Sequence, residues 1–242
     1  MRTTTASNQN SILGTCVKAI GRALDAAGCD GAALLAEAGF DLKELDGPDT
    51  RCPLTKTAHL WRLALAATGD PAFGLKLTKQ YKHTMFHALG YGLSASSTLK
   101  EAFERVQRFS HVVSDAVEYQ FFCCGSEYHF ILEPVTDVPV ESIDALVGMY
   151  LQLCRSLIGR EFSPLSIELQ RPRPAVVDDF QRLGAPRCSS APSKTGLFST
   201  GTASSGCSIA AIRNSRDSAT RSRLNISRGS SAIISKRAYA KS

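Results

Sequence analysis

A short run of polar residues that alternates with aromatic residues offers the clearest binding chemistry in this sequence. Glu118 and Gln120 alternate with Tyr119 and Phe121, and His129 lies in the next alternating stretch. Carboxylate, amide and imidazole groups can orient a small molecule by hydrogen bonds while neighbouring rings bury its apolar part. We therefore predict a ligand-binding role for Glu118, Gln120 and His129. The alternative is a sheet face that is exposed to solvent.

Two histidines and two aspartates have spacings that could suit a metal site or acid–base catalysis. His83 and His87 have the four-residue spacing of paired metal ligands, but no glutamate follows the first histidine and no third ligand lies nearby. Asp178 and Asp179 precede an apolar helical run, where negative charge favours a helix start. The sequence has no glycine-rich phosphate loop and no G-x-S-x-G motif. We predict no metal, no cofactor and no catalytic residue, and hence no enzyme.

Cysteine usage and apolar patterning point to the cytoplasm. None of the eight cysteines forms a C-x-x-C pair, which favours free thiols in a reducing compartment. The first ten residues are polar and do not resemble a signal peptide. No run of 18 apolar residues exists, so we expect no membrane span.

The formal charge divides the chain into two parts of different composition. Residues 187–242 contain ten Lys or Arg, one acidic residue (Asp217) and 15 serines. Their charge is +9, whereas the preceding residues sum to −3. Because the segment has few large apolar residues to offset the entropy of ordering, we predict a disordered basic tail over 187–242. Such a tail could contact nucleic acid through charge alone, or be a solvated extension without function.

Helical periodicity dominates the first 186 residues. A helix-turn-helix interpretation of the first two helices is rejected because 32–38 has no Arg, Lys, Asn or Gln to contact bases. Thr55 is predicted to cap the third helix, and Thr98 with Glu101 forms a capping box. The predicted helices span 11–27, 31–38, 55–68, a stretch after Pro71, 85–93, 98–115, 138–159 and 176–183.

The periodicity changes from helical to alternating after residue 116. Residues 117–124 and 127–132 alternate around Gly125-Ser126, which predicts a β-hairpin, and Leu165, Ile167 and Leu169 predict a third strand. The expected fold class is α+β, with helices packed on a small mixed β-sheet that contains one clear hairpin, followed by the disordered basic tail.

Two segments of this chain resemble a known family. Residues 69–77 (GDPAFGLKL) and 86–103 (FHALGYGLSASSTLKEAF) are similar to the N-terminal arabinose-binding-type domain of AraC-family transcriptional regulators. The resemblance covers about residues 11–186. It implies an effector-sensing and dimerisation domain over 11–186, preceded by a flexible N-terminus over 1–10. The domain's name does not imply that the effector is arabinose.

The resemblance also implies partners. A bacterial regulator of this kind binds a small-molecule effector, forms a homodimer and contacts DNA only through a separate C-terminal domain with two helix-turn-helix units. No residue of this chain is therefore expected to bind DNA. That C-terminal domain is expected to be absent, because after Gly184 the sequence becomes rich in Ser, Arg and Gly. Such a chain would be a truncated regulator.

A shift of reading frame would explain the change in composition. We hypothesise that 187–242 is an out-of-frame translation, which translating the underlying DNA in the other two frames tests. Two alternatives remain for the whole chain. One is a small α+β enzyme or ligand carrier with a non-specific basic tail. The other is an autonomous DNA-binding protein that depends on the tail alone.

Overall fold

The helices follow the apolar periodicity of the sequence. The computed structural model describes residues 10–47, 49–124, 127–160, 162–164, 167–172, 178–181, 187–188 and 211–212. The helices within them are α1 (Gly14–Ala26), α2 (Gly31–Glu37), α3 (Leu54–Thr68), α4 (Phe73–Lys76), α5 (His87–Ser94), α6 (Leu99–Phe109), α7 (Val140–Ile158) and α8 (Asp178–Gln181). Single 3-10 turns lie at Glu44–Asp46, Leu77–Gln80, His83–Phe86 and Ser110–Val112.

The strands form two sheets. They are β1 (Ser11–Leu13), β2 (Arg51–Pro53), β3 (Val117–Cys124), β4 (Glu127–Pro134), β5 (Glu168–Leu169), β6 (Arg187–Cys188) and β7 (Ala211–Ile212). Strands β1 and β2 make a two-stranded antiparallel ribbon, and the others lie in the order β3-β4-β7-β5-β6. Pairing is antiparallel in the β3–β4 hairpin and parallel elsewhere in the larger sheet, so the expected mixed sheet and α+β class are confirmed.

Strands β6 and β7 come from the segment for which we predicted a disordered tail. The structure describes only 187–188 and 211–212 of that segment, and these four residues pair with the larger sheet. The remainder of the tail, the turn at 125–126 and the N-terminal residues 1–9 lie outside the described residues. The predicted disorder and the frameshift hypothesis therefore stay predictions.

The prediction of a helix that begins at Ser11 is wrong by three residues. Ser11–Leu13 form β1, and Ile12 pairs with Cys52 of β2. The Leu13 amide donates to the carbonyl of Val113 at 2.9 Å. These partners lie far along the chain, so the apolar spacing of 11–27 alone could not indicate that the helix starts late.

Helix ends agree with the sequence where a local signal sets them. The Thr98 hydroxyl accepts from the Glu101 amide at 3.2 Å, and the Glu101 carboxylate accepts from the Ser97 amide at 2.8 Å. Gly69 ends α3 with a φ of +60°, which glycine adopts without strain. The predicted cap at Thr55 is wrong, because α3 starts at Leu54, after Pro53, without a side-chain cap.

Aromatic rings from four elements meet at the centre of the core. Phe103 of α6 lies 4.3 Å from Phe130 of β4, measured between ring centroids. The ring of Tyr150 on α7 lies 5.0 Å from that of Phe130 and 5.6 Å from that of Tyr119. These contacts hold α6 and α7 against one face of the hairpin, and such ring pairs add to the free energy gained from burying apolar area.

Two arginines connect segments that are distant in sequence. The Arg51 guanidinium donates to the Val112 carbonyl at 2.7 Å and forms an ion pair with Asp115 at 2.7 Å, which ties the ribbon to the start of β3. The Arg171 guanidinium forms a buried ion pair with Asp144 of α7, and lies 5.0 Å over the ring of Phe180. This pair fixes α7 relative to the segments that surround β5.

Helix α7 is the longest helix of the described chain, with 19 residues. Pro139 precedes it, so the helix starts two residues later than predicted. Its face towards the core is apolar. The helix also carries the charged residues Glu141, Asp144 and Arg155. Within the described ranges, no helix is both long enough and apolar enough to cross a membrane.

Candidate ligand-binding cavity

A cavity lies between the helices and the inner face of the hairpin. The volume that the centres of water-sized molecules can occupy in it is about 90 Å³. One water needs on the order of 10–15 Å³ by this measure, so the space accommodates several waters or one small organic molecule. Its walls come from α1, α3, the segment 85–93, the segment that leads into β3, and α7.

Helical spacing explains how α3 and α7 line the cavity. Leu54, Thr57, Ala58 and Trp61 of α3 are spaced three or four apart, which places them on one helix face. The lining residues of α7 follow the same spacing and are Ser142, Ala145, Leu146, Met149 and Tyr150. The apolar periodicity that predicts these helices therefore also sets the shape of the cavity.

The segment 85–93 closes one side of the cavity with a broken helix. A single helix over 85–93 is not what the structure shows, because a 3-10 turn ends at Phe86 and α5 starts at His87 with a φ of +47°. A positive φ is rare outside glycine. The Thr15 hydroxyl of α1 donates to the Met85 carbonyl at 2.8 Å. In a continuous helix that carbonyl would instead accept from a backbone amide one turn further along. Met85, Phe86, Leu89 and Leu93 line the cavity from both sides of the break.

Close packing preserves this broken segment. A Cβ atom added at Gly90 would lie 1.7 Å from the carbonyl oxygen of His83, so only glycine fits there. The His83 ring packs edge-to-face against Tyr91, with centroids 5.8 Å apart.

Within the described ranges, no group of three His, Cys, Asp or Glu side chains could hold a metal ion.

Two tyrosines and one cysteine supply ionisable groups to a mainly apolar wall, which also contains Thr57 and three serines. Burial raises the pKa of Tyr119 to about 12, and the hydrogen bond with Tyr150 partly lowers it. Burial also raises the pKa of Tyr150 well above its usual range, and the neighbouring Tyr119 raises it further. Burial raises the pKa of the Cys16 thiol to about 12.

Among the residues that the structure describes, none that lines the cavity is charged. The ionisable groups of the lining are Cys16, Tyr119 and Tyr150, whose ordinary pKa values of 9.0 and 10.0 lie above neutral pH and are raised further by burial, so all three keep their protons. The wall can therefore bury apolar surface and exchange hydrogen bonds. It cannot supply a carboxylate, an ammonium group or a thiolate to a bound molecule at neutral pH.

The residues that we predicted to bind a ligand lie on the other face of the hairpin. Glu118 and Gln120 are exposed, and the Gln120 side-chain amide donates to the Glu133 carboxylate at 3.0 Å. His129 pairs with Phe122 across the strands, with stacked rings 5.1 Å apart. None of the three lines the cavity. Their binding role stays a prediction, tested below.

Sequence reasoning missed Tyr119, Tyr150 and Cys16 as candidate site residues. Tyr119 alternates with Glu118 and Gln120, and Cys16 and Tyr150 occupy positions of the apolar helical pattern in 11–27 and 138–159. The sequence signal was that each of these residues places a hydroxyl or thiol group at a position of the apolar pattern. Hydroxyl groups in such positions need a partner when they are buried.

Comparison with known proteins assigns a family to most of the chain. The family model of the N-terminal arabinose-binding domain of AraC transcription regulators matches residues 28–194. This range is well over half of the 242 residues and confirms the resemblance found in the sequence. It includes α3, α5, β3 and α7, which supply most of the cavity wall. No curated protein matches the chain significantly.

Proposed function

The chain belongs to the AraC-type family of N-terminal arabinose-binding domains, and on that premise we propose that it binds a small-molecule effector in the cavity and regulates transcription in response. The observation that carries the proposal is the cavity itself. It lies within the matched region, has an apolar wall, and contains a few polar groups close together. These are the general properties of small-molecule sites.

The chemistry of the wall favours sensing over catalysis. General acid–base catalysis at neutral pH needs a group with a pKa near 7. Each ionisable group of the cavity has a raised pKa, and those of Cys16 and Tyr119 reach about 12. A neutral wall of this kind binds a molecule without transforming it. We therefore favour a regulator over the enzyme alternative.

Further properties of the proposed regulator follow from the family. We propose a cytoplasmic, bacterial homodimer whose contact with DNA is made by a separate helix-turn-helix domain. Light scattering on the full chain tests the homodimer, since a monomer at micromolar concentration would contradict it. Because the family resemblance implies diverse effectors, the effector of this chain has to be identified by experiment.

A thermal-shift screen of small metabolites on the full chain tests effector binding. A compound that binds only the folded protein raises its melting temperature. Ala58→Leu would fill part of the cavity from α3 and should abolish the shift that a metabolite produces in the wild type. Ala66→Leu makes the same change on the same helix at an exposed position outside the cavity, so it should leave the shift intact.

The two variants separate the possible results. A metabolite whose shift disappears in Ala58→Leu and persists in Ala66→Leu supports binding in the cavity. The proposal fails if every stabilising metabolite acts equally on both variants, because its site would then lie elsewhere. It also fails if no metabolite in a broad collection stabilises the wild type.

A further inference from the structure

We infer that the cavity selects a neutral, mainly apolar molecule with one hydrogen-bond acceptor, such as a ketone, and excludes carboxylates and sugars. This inference rests on the proposed function and names the chemical class of its effector.

The Tyr119–Tyr150 pair leaves one hydrogen atom without an acceptor. The two rings lie 5.6 Å apart and both line the cavity. Each phenol carries a single O–H, and two phenols can share only one hydrogen bond, so at least one hydrogen is available to a molecule inside the cavity. Both hydroxyls are protonated at neutral pH, since a phenol has an ordinary pKa of 10.0 and burial raises it here. The group that this hydrogen recognises is an acceptor, such as a carbonyl or ether oxygen.

The absence of charge in the wall excludes anionic molecules. Of the described residues that line the cavity, none is Asp, Glu, Lys, Arg or His. A buried carboxylate without a cationic partner loses far more hydration energy than one hydroxyl donor restores. An aliphatic ammonium group is excluded for the same reason.

Sugars are excluded because the mainly apolar wall has too few polar groups for their hydroxyls, and two of the wall's own hydroxyls already donate to backbone carbonyls. The Thr57 hydroxyl donates to the Pro53 carbonyl at 3.2 Å, and the Ser142 hydroxyl donates to the Pro139 carbonyl at 2.6 Å. A pentose brings four hydroxyl groups, of which most would be buried against Leu, Met and Phe side chains. Each buried and unpaired hydroxyl weakens binding.

Four probes of similar size test the inference on the full-length protein by calorimetry. Acetophenone carries the carbonyl acceptor, and α-methylstyrene replaces that oxygen by carbon without changing the shape. Benzoate adds a negative charge, and L-arabinose adds hydroxyl groups. We expect acetophenone to bind the wild type about 2- to 10-fold more tightly than α-methylstyrene, which is the usual net effect of one hydrogen bond. Benzoate and L-arabinose should give no binding.

Tyrosine variants locate the donor. In Tyr119→Phe or Tyr150→Phe the remaining hydroxyl has lost its partner and can turn to the ketone, so each single variant should keep the preference. The double variant removes both donors and should lower the preference to one or below. Far-UV circular dichroism and the melting temperature check that each variant folds.

Several results would overturn the inference. These are equal binding of acetophenone and α-methylstyrene by the wild type, an unchanged preference in the double variant, or binding of benzoate or L-arabinose as tight as that of acetophenone. Failure of both neutral probes to bind also overturns it. The proposed function is judged separately, by the metabolite screen with Ala58→Leu and Ala66→Leu.

Discussion

The two faces of the β3–β4 hairpin have the same alternation and aromatic rings on both sides, but opposite surroundings. The inner face places Tyr119, Phe121 and Phe130 against α6 and α7. The outer face carries Glu118 and Gln120, both exposed. Alternation thus indicates that the faces differ, while the helices that pack on one of them decide which face adjoins the cavity.

The largest expected difference between the faces concerns stability. Phe130→Ala should lower the free energy of unfolding by about 3–5 kcal/mol, because Phe130 is fully buried and contacts Phe103 and Tyr150. Phe122→Ala removes the same atoms from the outer face, where the ring is only half-buried, and should cost under about 1.5 kcal/mol. Urea denaturation of both variants measures the difference. Equal losses would remove the distinction between the faces.

A smaller effect is expected from alkaline pH and comes from the inner side. Cys16 and Tyr119 have folded-state pKa values of about 12, against ordinary values of 9.0 and 10.0. The unfolded chain therefore releases these protons first as pH rises. Their contribution to stability is complete below about pH 9 and is lost between about pH 9 and 12.

The Tyr119 share of this loss can be isolated by substitution. Each such group contributes a slope of at most about 1.4 kcal/mol per pH unit within its window. Tyr119→Phe should therefore make the decline of the unfolding free energy between pH 10 and 11 less steep. Urea denaturation at both pH values provides the measurement. A decline as steep as that of the wild type would contradict the burial of this phenol.

The smallest effect is expected on the outer face and tests our ligand-binding prediction for Glu118, Gln120 and His129. Glu118→Ala should change the unfolding free energy by less than about 0.5 kcal/mol, because the side chain is exposed. If the cavity is the binding site, the variant should also keep the thermal shift of any metabolite that Ala58→Leu abolishes. Loss of that shift in Glu118→Ala would favour the outer face instead.

Elements set by local signals were predictable from the sequence, whereas those set by distant contacts were not. The alternation of 117–124 predicted β3, and Thr98 with Glu101 predicted the start of α6. Strand β1 depends on pairing with β2 about 40 residues away. The break at His87 coincides with a hydrogen bond from Thr15 on another helix. No local pattern encodes either contact.

Residue type alone did not indicate the cavity. Glu118, Gln120 and His129 were chosen as polar groups among aromatics, but a site needs concavity as well as chemistry. The cavity is formed where faces of α3 and α7 meet β3, and its two phenol groups belong to Tyr119 and Tyr150. Their importance emerges only when the strand and the helix are brought together in space.

The spacing of the α3 residues along the cavity has a consequence for how such proteins diversify. Ala58 is the smallest side chain in that row, between Leu54 and Trp61. A substitution there changes the size of the chamber while the helix backbone keeps its course, because the helix is held by other residues such as Leu60 and Ala64 on its buried side. If the cavity is the effector site, a single codon change at Ala58 would retune chemical preference on an unchanged scaffold, which makes this position a natural starting point for engineering biosensors.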